Sequence, residues 1–211
     1  SGTLYIGGSK QLEVSGENCK DITYASDNTK VAIVDENGKV TAKAAGTAVI
    51  TATSAAGKTA EYKITVKTPS VKLNVSSKTL YVKGSPATVA LKATKTGISG
   101  NVTYTSSKVS VATVDATGKV TAKAAGTAVI TAKCGNYKAT CKITVKKPSV
   151  KATASAKTVF VGGTSQIKVT KAGVSGKVTY ISSNKSVAAV SKSGKITAKK
   201  AGTATITVKC G

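Results

Sequence analysis

A fifteen-residue segment that occurs twice without a change is the strongest constraint on how this chain folds. GKVTAKAAGTAVITA runs from Gly38 to Ala52 and again from Gly118 to Ala132. A third copy, GKITAKKAGTATITV from Gly194 to Val208, keeps eleven of the fifteen residues. Recurrence after 80 and then 76 residues predicts a tandem array of similar domains.

Apolar and polar residues alternate within this segment, on both sides of a small Ala-Ala-Gly corner at residues 44–46. The alternating apolar residues are Val40, Ala42, Ala48, Ile50 and Ala52. A period of two over β-branched residues is typical of strands with one buried face. The glycine of the corner can adopt backbone angles that other residues avoid. Each copy therefore predicts a strand, a tight connection and a second strand.

Proline linkers divide the chain into three predicted domains. TPSV begins at Thr68 and KPSV at Lys147, which gives domains over residues 1–68, 69–147 and 148–211. Repeats two and three open with a strand, VKLNVSS and VKATASA, that repeat one lacks. Repeat three lacks the ATCKITVK strand that closes repeat two. We expect either a piece of a longer array or a unit whose open edges are filled by neighbouring copies.

Two sets of aromatic residues stand in register across the repeats. Tyr24, Tyr104 and Tyr180 each precede by fourteen residues a glycine that closes a polar turn, Gly38, Gly118 or Gly194. Tyr5, Tyr81 and Phe160 each lie in a predicted strand that ends in a glycine turn. The second set would form either ordinary packing contacts or a platform for a sugar.

The ordered pattern VTYxSxxxxVAxVxxxGKVTAKxAGTAxIT, present in all three repeats, resembles the bacterial immunoglobulin-like group 2 family. That family occurs in intimin and invasin-type adhesins, in other cell-surface proteins and in some phage structural proteins. The resemblance implies an all-β chain of three immunoglobulin-like β-sandwiches, each of about seven strands, arranged end to end as a rod. The position of Tyr24, Tyr104 and Tyr180 is commonly Trp in the family. The family has no catalytic residues to transfer to this sequence.

Lysine dominates the charge of the chain. All 32 basic residues are Lys, only eight residues are acidic, and the net charge is +24. Residues 1–68 hold eight Lys and seven acids, whereas residues 147–211 hold twelve Lys and no acid. Repeated lysines are expected to project from one sheet face, with Lys133 and Lys209 on the neighbouring strand. These candidate polyanion-binding residues are Lys39, Lys43, Lys119, Lys123, Lys195 and Lys199.

Two interpretations of these lysines stay open. They could bind teichoic acid or acidic glycans, or they could solvate the outer strand faces and discourage edge pairing. Specific nucleic-acid binding is not expected, because the chain has no Arg and few aromatic residues.

Four cysteines are present, and two of them flank a predicted hairpin tip. Alternation places Cys134 and Cys141 on the inward face near the same end of repeat two. A disulfide between them requires Cα atoms about 4.4–6.8 Å apart, and buried reduced thiols are the alternative. Cys210 aligns with Cys134, and Cys19 has no evident partner.

The composition argues against an enzyme, a metal centre or a cofactor site. The chain has no His, repeat three has no acidic residue, and no run of eighteen apolar residues would insert into a membrane. We expect a cell-surface or secreted bacterial protein whose repeats act as a stalk or spacer and present an adhesive region. The alternatives are a cationic module that binds a cell-wall or host polysaccharide, and a phage structural appendage. Neighbouring repeats and a host glycan or protein are the expected partners.

Overall fold

The computed structural model describes residues 1–17 and 19–211 and is built from β-strands. Among those residues there is no helix with the length and hydrophobicity needed to cross a membrane. Repeat one contains β1 (Gly2–Tyr5), β2 (Ser9–Gln11), β3 (Thr23–Ser26), β4 (Ala32–Val34), β5 (Lys39–Ala42), β6 (Gly46–Thr53) and β7 (Thr59–Lys67). The all-β fold predicted from the sequence is confirmed.

Repeat two contains nine strands and repeat three contains six. Those of repeat two are β8 (Ser70–Leu73), β9 (Ser77–Tyr81), β10 (Thr88–Ala90), β11 (Ala93–Thr96), β12 (Thr103–Ser106), β13 (Ala112–Val114), β14 (Lys119–Ala122), β15 (Gly126–Cys134) and β16 (Tyr137–Lys146). Those of repeat three are β17 (Ser149–Ala154), β18 (Thr164–Ala172), β19 (Val178–Ser182), β20 (Ala188–Val190), β21 (Lys195–Ala198) and β22 (Ile206–Cys210).

Repeat one shows how the fifteen-residue segment builds a sandwich. A four-stranded sheet has the order β1-β7-β6-β3, and a three-stranded sheet has the order β2-β5-β4. Val40 and Ala42 of the three-stranded sheet join one buried cluster with Ala48 and Ile50 of the four-stranded sheet. One copy of the segment therefore supplies both inner faces of the core, as in sheets packed face to face.

The corner between these two strands requires glycine for two reasons. Gly46 has φ +150°, and a Cβ atom there would lie 2.7 Å from Val31 Cγ2. The same contact would occur between Gly126 and Val111 at 2.9 Å, with φ again +150°. Glycine has no side chain, so the chain can adopt this backbone angle and turn from one sheet into the other. The valine fills the space that a side chain would need, so no other residue fits at this position.

The sheets of repeats two and three follow related orders. Repeat two has sheets β12-β15-β16-β9, β10-β14-β13 and β11-β8. Repeat three has β17-β18-β21-β20 and β19-β22. In repeats one and two the first sheet is closed by a parallel pair, β1 with β7 and β9 with β16.

Repeat three departs from the predicted strand pattern at its aromatic segment. The sequence predicts a strand at KTVFV, from Lys157 to Val161, like β1 and β9, but the structure has no strand between β17 and β18. The reason is that β1 and β9 each pair with a closing strand, β7 or β16. Within the described residues of repeat three no strand follows β22, so this segment has nothing to pair with.

Contacts between Cα atoms group the chain into two compact units. One unit comprises Ser1–Leu73, Ala93–Thr103 and Ala132–Ala139. The other comprises Asn74–Lys92, Tyr104–Thr131 and Thr140–Gly211. The domain boundaries 1–68, 69–147 and 148–211 stay a prediction from the repeats.

Candidate functional surfaces

Tyrosine rings lie against glycines in two different settings. The first is inside a repeat, where a Cβ on Gly38 would lie 2.7 Å from Tyr24 Cζ, one on Gly118 2.9 Å from Tyr104 Cζ, and one on Gly194 2.8 Å from Tyr180 Cζ. These glycines close the polar turns and have φ between +75° and +84°. The fourteen residues that separate each tyrosine from its glycine in the sequence therefore separate a ring from the turn against which it packs.

The second setting is a contact between consecutive repeats. Tyr5 of repeat one packs on Gly97 of repeat two, where the ring occupies the position of a Cβ atom. Gly97 has φ +67°, so a side chain there would meet both the ring and an unfavourable backbone angle. Ile6 N donates to Lys67 O at 3.1 Å, which holds the turn after Tyr5 against the last strand of its own repeat.

Tyr81 of repeat two packs in the same way on Gly173 of repeat three, also at φ +67°. Two further contacts secure this joint. Ser85 N donates to Gly173 O at 3.0 Å, and a Cβ on Gly84 would lie 2.7 Å from Pro148 Cγ. The alignment of Tyr5 with Tyr81 is evident in the sequence, but their glycine partners are not, because each partner lies 92 residues away in a loop with no strong pattern.

Phe160 occupies the corresponding position of repeat three and is 93% exposed. Its neighbour Val161 is 62% exposed. The turn after it keeps the local geometry of the other repeats, since Gly163 N donates to Phe160 O at 2.8 Å, as Gly8 N does to Tyr5 O. Repeat three therefore presents an aromatic surface at the place where Tyr5 and Tyr81 form joints.

The six candidate lysines are all exposed and lie in pairs on separate repeats. In each pair one lysine begins a strand, β5, β14 or β21, and the other follows the end of that strand. Four residues of extended chain separate them by about 13 Å. The backbone N–H of the second lysine is fixed, since Lys43, Lys123 and Lys199 donate to Val31, Val111 and Val187 at 2.7–2.8 Å. The pairs form a charged strand face rather than an enclosed pocket.

Lys133 and Lys209 do not extend these faces, contrary to the sequence-based expectation. Lys133 belongs to β15 and Lys209 to β22, whereas Lys119 belongs to β14 and Lys195 to β21 in the other sheets. The glycine corner explains the difference, because it carries the chain from one sheet to the other between the two strands.

All four cysteines are free thiols in the structure, so the predicted Cys134–Cys141 bridge is not formed in it. β15 ends at Cys134 and β16 begins at Tyr137, so a two-residue turn joins them. Cys141 is four residues beyond Tyr137, or about 13 Å along a strand, which exceeds the span of a disulfide. Cys134 Sγ instead donates to Ser99 O at 3.4 Å.

Burial raises the pKa of the Cys141 thiol. The thiolate is the reactive form of cysteine, so this side chain behaves as a small apolar core residue. Across the described part of the chain, Cys, Asp and Glu side chains do not gather in groups of three that could hold a metal ion.

Comparison with known proteins gives the family of the chain. The sequence model of the bacterial Ig-like domain (group 2) matches residues 3–65 and 143–210, and that of a bacterial Ig-like domain matches residues 100–147. Intimin of Escherichia coli O111:H- is 48% identical over 63 residues, which are 30% of this chain and 6% of intimin. An uncharacterized protein of Clostridium acetobutylicum is 35% identical over 133 residues, 60% of this chain and 14% of that protein.

Among solved structures, the I9–I11 tandem from titin is similar with a TM-score of 0.47 and 11% identity, over 92% of this chain and 84% of that one. The chain spans only a small fraction of the two bacterial relatives. Since the group 2 model alone matches more than half of the residues, the chain belongs to the bacterial Ig-like domain (group 2) family.

Proposed function

We propose that the chain is a non-enzymatic spacer or stalk within a bacterial cell-surface or secreted protein, and that its repeats hold an adhesive region at a distance. The observation that carries the proposal is the joint of a tyrosine ring on a glycine, which occurs in the same form at Tyr5 with Gly97 and at Tyr81 with Gly173. Close packing of a ring on backbone leaves little room for reorientation. A joint used twice in one geometry suits a chain whose task is to maintain spacing.

The relatives are consistent with this role. Intimin shares a segment that is 48% identical, and the family resemblance implies surface proteins and adhesins. The chain would then work beside other domains, and a host protein or glycan would be the partner of the region that it presents. A phage structural appendage is a further alternative in which the same repeats would also act as spacers.

Small-angle X-ray scattering of Gly173→Ala tests the spacer function. Gly173→Ala should broaden the distribution of interatomic distances, because the added methyl group displaces the Tyr81 ring. Gly162→Ala is the matched control, since Gly162 also has a positive φ, +83°, but faces open space. Equal effects of the two variants would contradict the proposal.

A cationic module for anionic polysaccharides is the second candidate, favoured by the exposed lysine pairs on a chain of net charge +24. Binding of heparin or teichoic acid should be compared for Lys119→Glu/Lys123→Glu and for Lys133→Glu/Lys138→Glu. The two double variants change the net charge equally, but only the first alters β14 and its lysine pair. For a spacer, both should weaken binding alike, and moderate salt should abolish it. Saturable binding that only the first variant removes would favour the polysaccharide module.

A further inference from the structure

Asn37 distinguishes the polar turn of repeat one from the matching turns of the other two repeats. In all three turns the glycine N–H donates to the carbonyl oxygen three residues earlier at 3.0 Å. The residue just before that glycine is Asn37 in repeat one, Thr117 in repeat two and Ser193 in repeat three. The three turns thus share a backbone hydrogen bond, but only the first carries a side-chain amide beside its glycine.

An asparagine in this position can react with its own backbone. The nitrogen of the next residue attacks the side-chain carbonyl carbon, a C–N bond forms, and the amide group leaves as ammonia to give a cyclic succinimide. Water then opens the ring at either carbonyl and yields aspartate or isoaspartate. A following glycine favours the attack, because it has no side chain to hinder the approach and its backbone reaches more conformations.

Of the seven asparagines of the chain, only Asn37 is followed by glycine. Asn37 is exposed, and within residues 1–17 and 19–211 its side-chain amide has no hydrogen-bond partner. Asn74 differs, since its amide donates to Ala90 O at 3.2 Å and accepts from Lys92 N at 3.0 Å. Asn184 Oδ1 likewise accepts backbone N–H groups of its own loop at 3.1 and 3.3 Å. A glycine neighbour and an amide with no partner therefore coincide at Asn37.

We propose that Asn37 is a site of spontaneous deamidation, at which water converts the side-chain amide to aspartate and isoaspartate with release of ammonia. The turn controls the rate, because Gly38 N donates to Asp35 O at 3.0 Å and must leave that partner before it attacks. Asn37 N is held as well, by Asp35 Oδ1 at 3.0 Å. Transient opening of the turn therefore precedes the reaction. This inference does not depend on the spacer function.

Isoaspartate at position 37 should disturb the fold of repeat one, because it lengthens the backbone by a methylene group just before Gly38. Gly38 lies directly against the Tyr24 ring, where a Cβ atom would be 2.7 Å from Tyr24 Cζ. The carbonyl oxygen of Asn37 accepts from Gln11 Nε2 at 2.6 Å and would also move. Since a packed ring leaves little space for a longer backbone, the isoaspartate form should unfold at a lower urea concentration than the unmodified chain.

Peptide mapping by mass spectrometry, after incubation of the intact chain at mildly alkaline pH, tests the proposal. The peptide that contains residue 37 should gain the mass difference between an amide and an acid, and chromatography should resolve aspartate and isoaspartate forms. Asn101 is the internal control, since it is exposed like Asn37 but is followed by Val102. Its reaction should be slower by about fivefold or more, because the extra backbone freedom of glycine is worth roughly that ratio.

Two variants test the control by the turn. Asp35→Ala removes the carboxylate that holds the turn and should speed deamidation of Asn37 about fivefold, the ratio that corresponds to one lost hydrogen bond. Asp115→Ala removes the matching carboxylate of repeat two and should leave the rate at Asn37 unchanged. Unchanged hydrogen exchange in β6 verifies that repeat one remains folded in both variants.

The proposal is overturned if residue 37 gains no mass, if Asn37 and Asn101 react at equal rates, or if the two variants have equal effects. Aspartate without isoaspartate would exclude the succinimide route. The isoaspartate form, separated by ion exchange, should show the lower urea midpoint, and a midpoint equal to that of the unmodified chain would refute the effect on repeat one.

Discussion

At the scale of single residues, several glycines provide a surface on which a tyrosine ring rests. Inside the repeats the glycine closes a turn, as Gly118 does beneath Tyr104, whose hydroxyl donates to Leu91 O at 3.3 Å. Between repeats the glycine belongs to a loop, as Gly97 and Gly173 do. With eight aromatic residues and no Trp in 211 residues, each ring is a large part of the local apolar contact.

Gly118→Ala should destabilise repeat two more than Gly135→Ala does. Both glycines have positive φ, +84° and +57°, so both substitutions carry a backbone penalty of roughly 1–2 kcal/mol. A methyl group on Gly118 would also clash with the backbone oxygen of Leu91 and lie 2.9 Å from Tyr104 Cζ, whereas Gly135 faces open space. We expect a further loss of about 1–3 kcal/mol from this overpacking, measured as the free energy of unfolding in urea. Equal losses would show that the Leu91 backbone and the Tyr104 ring adjust without strain.

At the scale of elements, the polar turn before each repeated segment shares more than its glycine. Asp35 Oδ1 accepts from Asn37 N at 3.0 Å and Lys39 N at 2.8 Å, and Asp115 Oδ1 accepts from Thr117 N at 2.9 Å and Lys119 N at 3.0 Å. Ser191 Oγ plays the same part in repeat three. The sequences DENG, DATG and SKSG look different, but each begins with a side-chain oxygen that caps the turn.

The Asp115 carboxylate should make the free energy of unfolding depend on pH, because it accepts the hydrogen bonds of its turn. The hydrogen bond from the Thr117 hydroxyl, followed by that from Lys119 N–H, lowers the pKa of Asp115. Because the folded-state pKa lies below the unfolded one, the carboxylate stabilises the fold above the unfolded-state pKa, and this contribution is lost as the pH falls through the folded-state pKa. Asp115→Asn should therefore be less stable than wild type near neutral pH, and the difference should shrink in acid.

Urea unfolding at several pH values measures this difference. Ser191→Ala is the control, since its hydroxyl caps the matching turn without titrating, so its effect should not change with pH. A constant difference between wild type and Asp115→Asn would contradict the role of the charge.

The strands and their buried faces could be predicted from the sequence, whereas the assignment of strands to sheets could not. Alternation of Val40 with Lys39 reveals which side of a strand is buried, but it is the same whichever sheet the strand joins. For this reason the sequence predicts Lys133 beside Lys119, although the Gly126 corner places Lys133 in another sheet. The Cys134–Cys141 prediction failed in a similar way, because alternation fixes the face and not the length of the turn between strands.

At the scale of the whole molecule, burial of the core is uneven among the repeats. In repeats one and two the central alanine, valine and isoleucine positions are almost completely buried, as Ala32, Val40 and Ile130 are. The corresponding positions of repeat three are only half-buried. Since stability depends on the apolar area removed from water, repeat three should be the least stable part of the described chain.

Hydrogen exchange followed by mass spectrometry measures this difference. Amides of β22 should exchange at least tenfold faster than those of β15, which is paired on both edges, because local opening of a less buried region requires less free energy. The comparison is internal, since Ile206 and Ile130 occupy matching positions of the repeated segment. Equal protection of the two strands would show that the half-buried core is sufficient.

The Tyr-on-Gly joint also bears on how such a protein can change in length. Each joint takes its ring from the earlier repeat and its glycine from the later one. A repeat that brings its own ring and its own glycine can be inserted or deleted as a block, and every new junction will again match a ring with a glycine. Unequal recombination between genes, favoured by identical stretches such as Gly38–Ala52 and Gly118–Ala132, would then alter the number of repeats without requiring a new interface to evolve.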